Sequence, residues 1–204
     1  MDAHQHWQNI YETKATDSVS WYQAEPARSL AWIAEAAAPP QAAVLDVGAG
    51  ASFLVDRLVA AGYEHVGALD IAPKALELIK KRLGANDAKV DWFAGSVLDF
   101  VPVRTYDVWH DRAVLHFLRE PADQQRYVEV LTRTLKPGGH AVIATFAVGG
   151  PLKCSGLEIV QYDAAKLQAL LGASFSLVKE ELEIHKTPSG GEQKFQWAMF
   201  RAGA

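Results

Sequence analysis

Val44-Leu45-Asp46-Val47-Gly48-Ala49-Gly50, read together with Leu69-Asp70, is the stretch that decides the fold. Residues 43–47 form a continuous apolar run broken only by Asp46, the pattern of a strand covered on both faces. Gly48 and Gly50 follow at once, and a residue without a Cβ lets the chain turn sharply and approach a ligand closely. Phe53, Leu54, Leu58 and Val59 then recur at helical spacing until Gly62 supplies a stop. The next strand, 65–70, closes on an acid about twenty residues downstream, where a carboxylate can accept both hydroxyls of a ribose.

Working outward, the alternation of strand and helix continues. Pro73 opens a helix with Leu76, Leu78, Ile79 and Leu83 apolar, ended by Gly84. Residues 89–94 and 106–110 read as strands, and 121–135 as a helix burying Tyr127, Val128, Leu131 and Leu135. Lys136-Pro137-Gly138-Gly139 reads as a tight turn into a strand over 140–146. Asp163 caps a helix carrying Leu167, Leu170 and Leu171. Two strand-like runs, 176–185 and 192–201, flank Thr187-Pro188-Ser189-Gly190-Gly191 and form an antiparallel hairpin. Strand–helix units ending in a hairpin predict an α/β domain, a mostly parallel sheet with helices on both faces. Upstream, residues 3–38 read as helical with Trp7, Ile10 and Tyr11 on one face, interrupted at Ser18-Val19-Ser20-Trp21-Tyr22 and ended by Pro39-Pro40.

A chain of 204 residues suits a single domain over 1–204, with 1–40 as a helical lid and 41–204 as the core. Half the residues are hydrophobic, 22% are charged and the formal net charge is -4, which provides no basic footprint for nucleic acid. No apolar run is long enough to cross a bilayer, and the first residues lack the basic and apolar blocks of a signal peptide. The lone Cys154 excludes an internal disulfide. The expectation is a cytoplasmic protein that engages neither nucleic acid nor membrane, as monomer or homodimer.

Three ligands compete for the glycine turn. A Walker loop needs Gly-Lys-Ser/Thr, and no lysine follows Gly50. A nicotinamide or flavin site needs a third glycine, and Phe53 stands there. S-adenosylmethionine carries an ammonium and a carboxylate where the dinucleotides carry a pyrophosphate. Asp46 attracts an ammonium and repels a pyrophosphate, and the amides after Gly48 are expected to receive the carboxylate, helped by the following helix.

With these landmarks in place the chain resembles a class I S-adenosylmethionine-dependent methyltransferase from about residue 40 onward. The resemblance rests on Val44 to Gly50, Leu69-Asp70, residues 95–100 and 106–118, Leu135-Lys136-Pro137-Gly138-Gly139 and the final hairpin. It implies a Rossmann-like sheet of order 3-2-1-4-5-7-6 with strand seven antiparallel and the cofactor across the first two strands. On that resemblance Asp46, Gly48, Ala49 and Gly50 hold the methionine end, Asp70 the ribose and Ile71 the adenine. Ser96 and Val97 meet the adenine edge, although the family often has Asp in place of Ser96. The N-terminal segment is similar to the lid of small-molecule and protein-lysine methyltransferases, in which Trp21 and Tyr22 would face the sulfonium.

The acceptor side is less defined. The Asn/Asp-Pro-Pro-aromatic signature of many amino-methylating enzymes is absent after Trp109. Asp111, Arg112 and His116 are the candidates for orienting or deprotonating an acceptor. Tyr22, His110, Lys153 and Cys154 are candidates for the pocket, the last two on a glycine-rich, mobile loop over 149–156. His4-x-His6 points its rings apart on a helix, and no metal-binding spacing occurs, so no metal is expected. The expected activity is methyl transfer from S-adenosylmethionine to a small molecule, yielding S-adenosylhomocysteine, since no appended domain is read that would dock a macromolecule. The alternatives are a protein-lysine methyltransferase, a thiopurine-like thiol or chalcogen methyltransferase, and a non-catalytic cofactor-binding regulator.

Overall fold

The computed structural model describes residues 2–203. Two helices, α1 (Ala3–Thr13) and α2 (Ala27–Ala36), precede strand β1 (Ala43–Val47). The core then runs α3 (Leu54–Ala60), β2 (His65–Asp70), α4 (Pro73–Leu83), β3 (Val90–Ala94), β4 (Tyr106–Arg112), α5 (Pro121–Thr134) and β5 (Leu135–Phe146). Two short strands, β6 (Lys153–Cys154) and β7 (Leu157–Glu158), lead to α6 (Ala164–Leu171) and the hairpin β8 (Phe175–Lys186) and β9 (Glu192–Ala202).

The main sheet has seven strands in the order β3-β2-β1-β4-β5-β9-β8, the expected order once β6 and β7 are set aside. Strands β1 to β5 pair in parallel, and β9 runs antiparallel to β5 and β8. All five residues of β1 are buried, as a central strand covered on both faces requires. Because side chains alternate along a strand, Val44 joins Trp32, Ile33, Leu54 and Leu58 under α2 and α3, whereas Leu45 joins Trp109, Tyr127 and Leu131 under α5. Asp46 shares the face of Val44, and register pairs it with His110 on β4. That alternation and that register place a carboxylate and an imidazole side by side inside the fold.

Two local expectations need correction. Residues 136–139 are not a separate turn: β5 begins at Leu135, which pairs with Tyr106 ahead of a register shift on β4. The loop after β5 is fastened, not open. It folds into the β6–β7 pair, Gln161 Nε2 donates to the carbonyls of Gly150 (2.7 Å) and Pro151 (3.1 Å), and the Val160 amide donates to His116 O at 2.8 Å. Among the described residues no helix is long and apolar enough to cross a membrane.

Candidate functional site

The C-terminal ends of β1, β2 and β4 open onto two adjoining cavities of about 60 and 330 Å³. Gly48, Tyr11, Trp21 and Arg112 line both. The smaller one lies over the glycine turn, bounded by Asp46, Ala49, Gly50, Ser52, Tyr22, Ser29 and His110. The larger one is walled by Asp70, Ile71, Ser96, Val97 and Leu98 at one end and by Trp7, Val114, Phe117 and Cys154 at the other.

Asp46 is 3% exposed, and its Oδ1 lies 2.8 Å from His110 Nδ1. His110 Nε2 in turn lies 3.0 Å from the hydroxyl of Ser29 on α2. A carboxylate oxygen can only accept, so Nδ1–H donates to it, and the hydrogen bond between Nε2 and Ser29 extends the chain. Asp46 Oδ2 is buried and has no partner in the fold. A buried carboxylate oxygen without a donor is costly, so this atom is the most demanding acceptor in the smaller cavity. His110, expected in the acceptor pocket, therefore stands at the glycine-turn end.

The turn is tightly held. The amides of Gly48 and Ala49 donate to Leu69 O at 2.8 and 3.0 Å, and the Gly50 amide donates to Asp70 Oδ2 at 2.8 Å. These three amides are thus used internally, contrary to the expectation that they would receive a carboxylate. The amides of Ala51 and Phe53 have no acceptor among the described residues. Gly48 has φ +67° and Gly50 +57°. An added Cβ would lie 2.1 Å from Val114 Cγ2 at Gly48 and 2.7 Å from the Tyr11 hydroxyl at Gly50. Where a dinucleotide site would place its third glycine, the Phe53 ring lies 4.5 Å from the Arg82 guanidinium. Arg82 also donates to Ala51 O (3.0 Å) and Ser52 O and pairs with Asp56 at 2.8 Å.

Asp70, expected to meet the ribose, also holds the turn. Its Oδ1 accepts the Ala72 amide at 2.7 Å while Oδ2 accepts that of Gly50, so the carboxylate ties the turn to β2. Burial pushes it up to about 6, against the pull of those two amides, with nearby Asp46 adding to the rise. Each oxygen keeps a further lone pair for a donor in the cavity.

The N-terminal segment closes the site from above. Trp7 packs edge-on against Trp21 and Phe117, with ring centroids 5.6 and 5.1 Å apart. Gln8 Oε1 accepts the Lys74 amide at 3.1 Å, Ser20 O accepts from His185 Nε2 at 2.9 Å, and Trp21 O accepts from Arg112 Nη1 at 3.0 Å. The lid is thereby bound to α4, to the terminal hairpin and to β4.

Of the three residues expected to act on an acceptor, only Arg112 lines a cavity. Asp111 is fully buried on the far face of β4. Its carboxylate accepts the Val114 and Leu115 amides (2.8 and 3.1 Å) and the Tyr127 hydroxyl (2.7 Å), which fixes the chain after the strand. Burial raises Asp111 to about 6, but none of its oxygens meets the cavity. His116 is also fully buried, with Nδ1 accepting the Phe146 amide at 3.2 Å. Burial and then the Arg112 charge push it down to about 3, so it stays neutral at ordinary pH. Asp111 thus holds the turn after β4, and His116 ties that turn to the end of β5. Lys153 is exposed and lines neither cavity, whereas Cys154 is 4% exposed and its thiol is pushed up to about 12 by burial. Tyr22 lines the smaller cavity. Sequence reading missed Ser29, Arg82 and Val114, whose roles come from register and packing and leave no local pattern. Among the described residues no cluster of three or more His, Cys, Asp or Glu is arranged to hold a metal ion.

The donor set suits S-adenosylmethionine. An unpartnered carboxylate oxygen faces one cavity, two free amides stand on the glycine turn, and the larger cavity has an acidic and apolar wall. The comparisons agree with that geometry. Residues 44–139 match the family described as a methyltransferase domain. The ubiquinone biosynthesis O-methyltransferase of Aromatoleum aromaticum is 28% identical over 145 residues, covering 70% of this chain and 58% of that protein. A tRNA U34 carboxymethyltransferase of Shewanella pealeana is 28% identical over 109 residues, 52% of this chain and 32% of that one. The chain thus spans less than two thirds of the length of the curated relatives it matches. N-methyltransferase NodS from Bradyrhizobium japonicum, solved in complex with S-adenosyl-L-homocysteine, has the same fold. It aligns with TM-score 0.74 at 15% identity, over 98% of this chain and 100% of that one.

Proposed function

We propose that this chain, a member of the class I S-adenosylmethionine-dependent methyltransferases, transfers a methyl group from that cofactor to a small-molecule acceptor. The observation that carries the reading is the buried, unpartnered Oδ2 of Asp46, held toward the smaller cavity by His110 and Ser29. It offers a fixed acceptor for the ammonium of an amino-acid tail. On this reading the Ala51 and Phe53 amides take the tail carboxylate, Asp70 the ribose, and Ile71, Ser96 and Val97 the adenine. The segment over residues 1–40 is the lid.

When bound, the cofactor supplies an electrophilic methyl carbon on a sulfonium. The residues of this chain align the acceptor and exclude water. Trp7, Tyr11, Trp21 and Phe117 bring aromatic faces to the larger cavity, where a developing or departing cation is well accommodated. His116 is too weak a base and Asp111 too well bonded to take a proton from an acceptor. A cavity of about 330 Å³ beside a fastened N-terminal segment favours a small molecule over a polypeptide or folded RNA.

Two measurements test this reading. With methyl-labelled S-adenosylmethionine and a fractionated cell extract, label is expected in the low-molecular-weight fraction. Label confined to protein or RNA would overturn the small-molecule assignment. The pH dependence of S-adenosylhomocysteine binding tests Asp70. Ribose hydroxyls donate to the ionised carboxylate, so affinity should rise with pH through about 6 and level off above it. The step should disappear in Asp70→Asn, and an unchanged pH profile in that variant would remove Asp70 from the ribose site.

A further inference from the structure

Arg112 is the charged group that this mechanism leaves without a counterpart. Its Nη1 donates to Trp21 O at 3.0 Å, and the Phe195 ring lies 4.6 Å from the guanidinium carbon. Nε and Nη2 are buried and have no partner in the fold. In a guanidinium these two nitrogens lie on one edge, the edge that receives two oxygens of a carboxylate or phosphate in parallel hydrogen bonds. One edge is anchored, one face is covered, and the fork is free.

Glu183 partly offsets the charge at a distance, but no anion within the fold is hydrogen-bonded to the guanidinium. Glu183 is near, but its oxygens already serve Trp197 Nε1 at 2.7 Å and Arg28 at 3.6 Å. The Cys154 thiol and the His116 imidazole beside the guanidinium are both held neutral by burial. Burial lowers Arg112 itself only to about 10, so the cation persists at neutral pH. A fixed cation whose two bidentate donors are buried and unpartnered calls for an oxyanion from outside the fold.

We propose that Arg112 is a bidentate oxyanion receptor in the acceptor pocket, and that the methyl acceptor carries a carboxylate or phosphate which docks on its Nε–Nη2 edge. This rests on the methyltransferase reading above. The cofactor tail is the other possible source of a carboxylate, and it has donors of its own in the Ala51 and Phe53 amides on the glycine turn. Arg112 lines both cavities, and in the larger one it shares the lining with Phe117 and Cys154. Docking the acid there sets the orientation of the acceptor, and the nucleophilic atom lies elsewhere on the same molecule.

The experiment has two arms. In the first, S-adenosylhomocysteine and 5′-methylthioadenosine, which lacks the amino-acid tail, are titrated into the wild-type protein, Arg112→Gln and Arg112→Lys. Loss of the bond to Trp21 O bears on both ligands alike, so any change in affinity should be the same for the two, and saturable binding also shows that the variants are folded. In the second, a small-molecule extract is split on an anion-exchange resin at neutral pH, and each fraction is offered with labelled S-adenosylmethionine. Acceptor activity should reside in the retained, acidic fraction and fall at least about tenfold in Arg112→Gln, less in Arg112→Lys, which keeps the charge but not the fork. Activity in the unretained fraction, or in neither, would overturn the proposal. So would an Arg112→Gln variant that loses affinity for S-adenosylhomocysteine but not for 5′-methylthioadenosine, since the guanidinium would then hold the cofactor tail. A wild-type protein that binds no S-adenosylhomocysteine would instead refute the underlying methyltransferase reading.

Discussion

Replacing Asp46 by alanine is expected to weaken S-adenosylhomocysteine binding by about 10- to 100-fold, the worth of one charge-assisted hydrogen bond in a buried site. Binding of 5′-methylthioadenosine should be nearly unaffected, because that ligand has no ammonium to place against Oδ2. The contrast between the two ligands separates recognition of the tail from general damage to the site. Asp46→Asn keeps the shape and a hydrogen-bond acceptor but loses the charge, so it should fall between wild type and alanine. Ser29→Ala touches the same chain of contacts two hydrogen bonds away and should show a smaller loss of the same sign. Equal losses for both ligands in Asp46→Ala would mean that the carboxylate only supports the β1–β4 pairing.

The second large effect concerns the turn itself. Gly48→Ala would put a Cβ 2.1 Å from Val114 Cγ2 at a backbone φ of +67°. Both penalties apply, the left-handed backbone and the overlap, and together they should destabilise the protein by about 2–4 kcal/mol. Gly62 has φ +90° but nothing within 4 Å of an added Cβ. Gly62→Ala should therefore show only the backbone penalty, on the order of 1–2 kcal/mol. Combining Gly48→Ala with Val114→Ala should recover part of the loss. Denaturant unfolding of these three variants beside the wild-type protein measures this directly. Equal destabilisation at Gly48 and Gly62 would contradict the close approach of Val114 to the turn.

The succession of strands and helices along the chain was legible in local patterns: apolar runs for buried strands, glycine and proline punctuation, and a terminal hairpin flanked by turn residues. The order of strands across the sheet came from the resemblance to class I methyltransferases. The two sheet neighbours on which the site depends most, Asp46 and His110, are 64 residues apart and meet only through β1–β4 register. His110 therefore reads in sequence as part of an acceptor segment, and only the fold shows it serving the turn. Asp111 and His116 look like catalytic groups for a similar reason. Their side-chain chemistry suits proton transfer, but β-strand alternation turns Asp111 to the far face, where the bend after β4 takes up its oxygens, and His116 Nδ1 is taken up by the Phe146 amide at the end of β5. Arg112 follows Asp111 directly and points the other way, which is why it alone of the three reaches the cavity. Phe53 was informative in sequence as a missing glycine. Its packing against Arg82, which also grips the carbonyls of the turn, is a long-range contact that spacing does not reveal.

The central claim is that the glycine turn and Asp46 form a site for an amino-acid-tailed nucleoside and not for a dinucleotide. Isothermal titration calorimetry with S-adenosylhomocysteine and with NAD tests it most directly. The expected result is saturable binding of S-adenosylhomocysteine at one site per chain, with NAD binding far more weakly or not at all, because its pyrophosphate would face the buried Asp46 carboxylate. NAD binding as tight as S-adenosylhomocysteine, or tighter, would contradict the account.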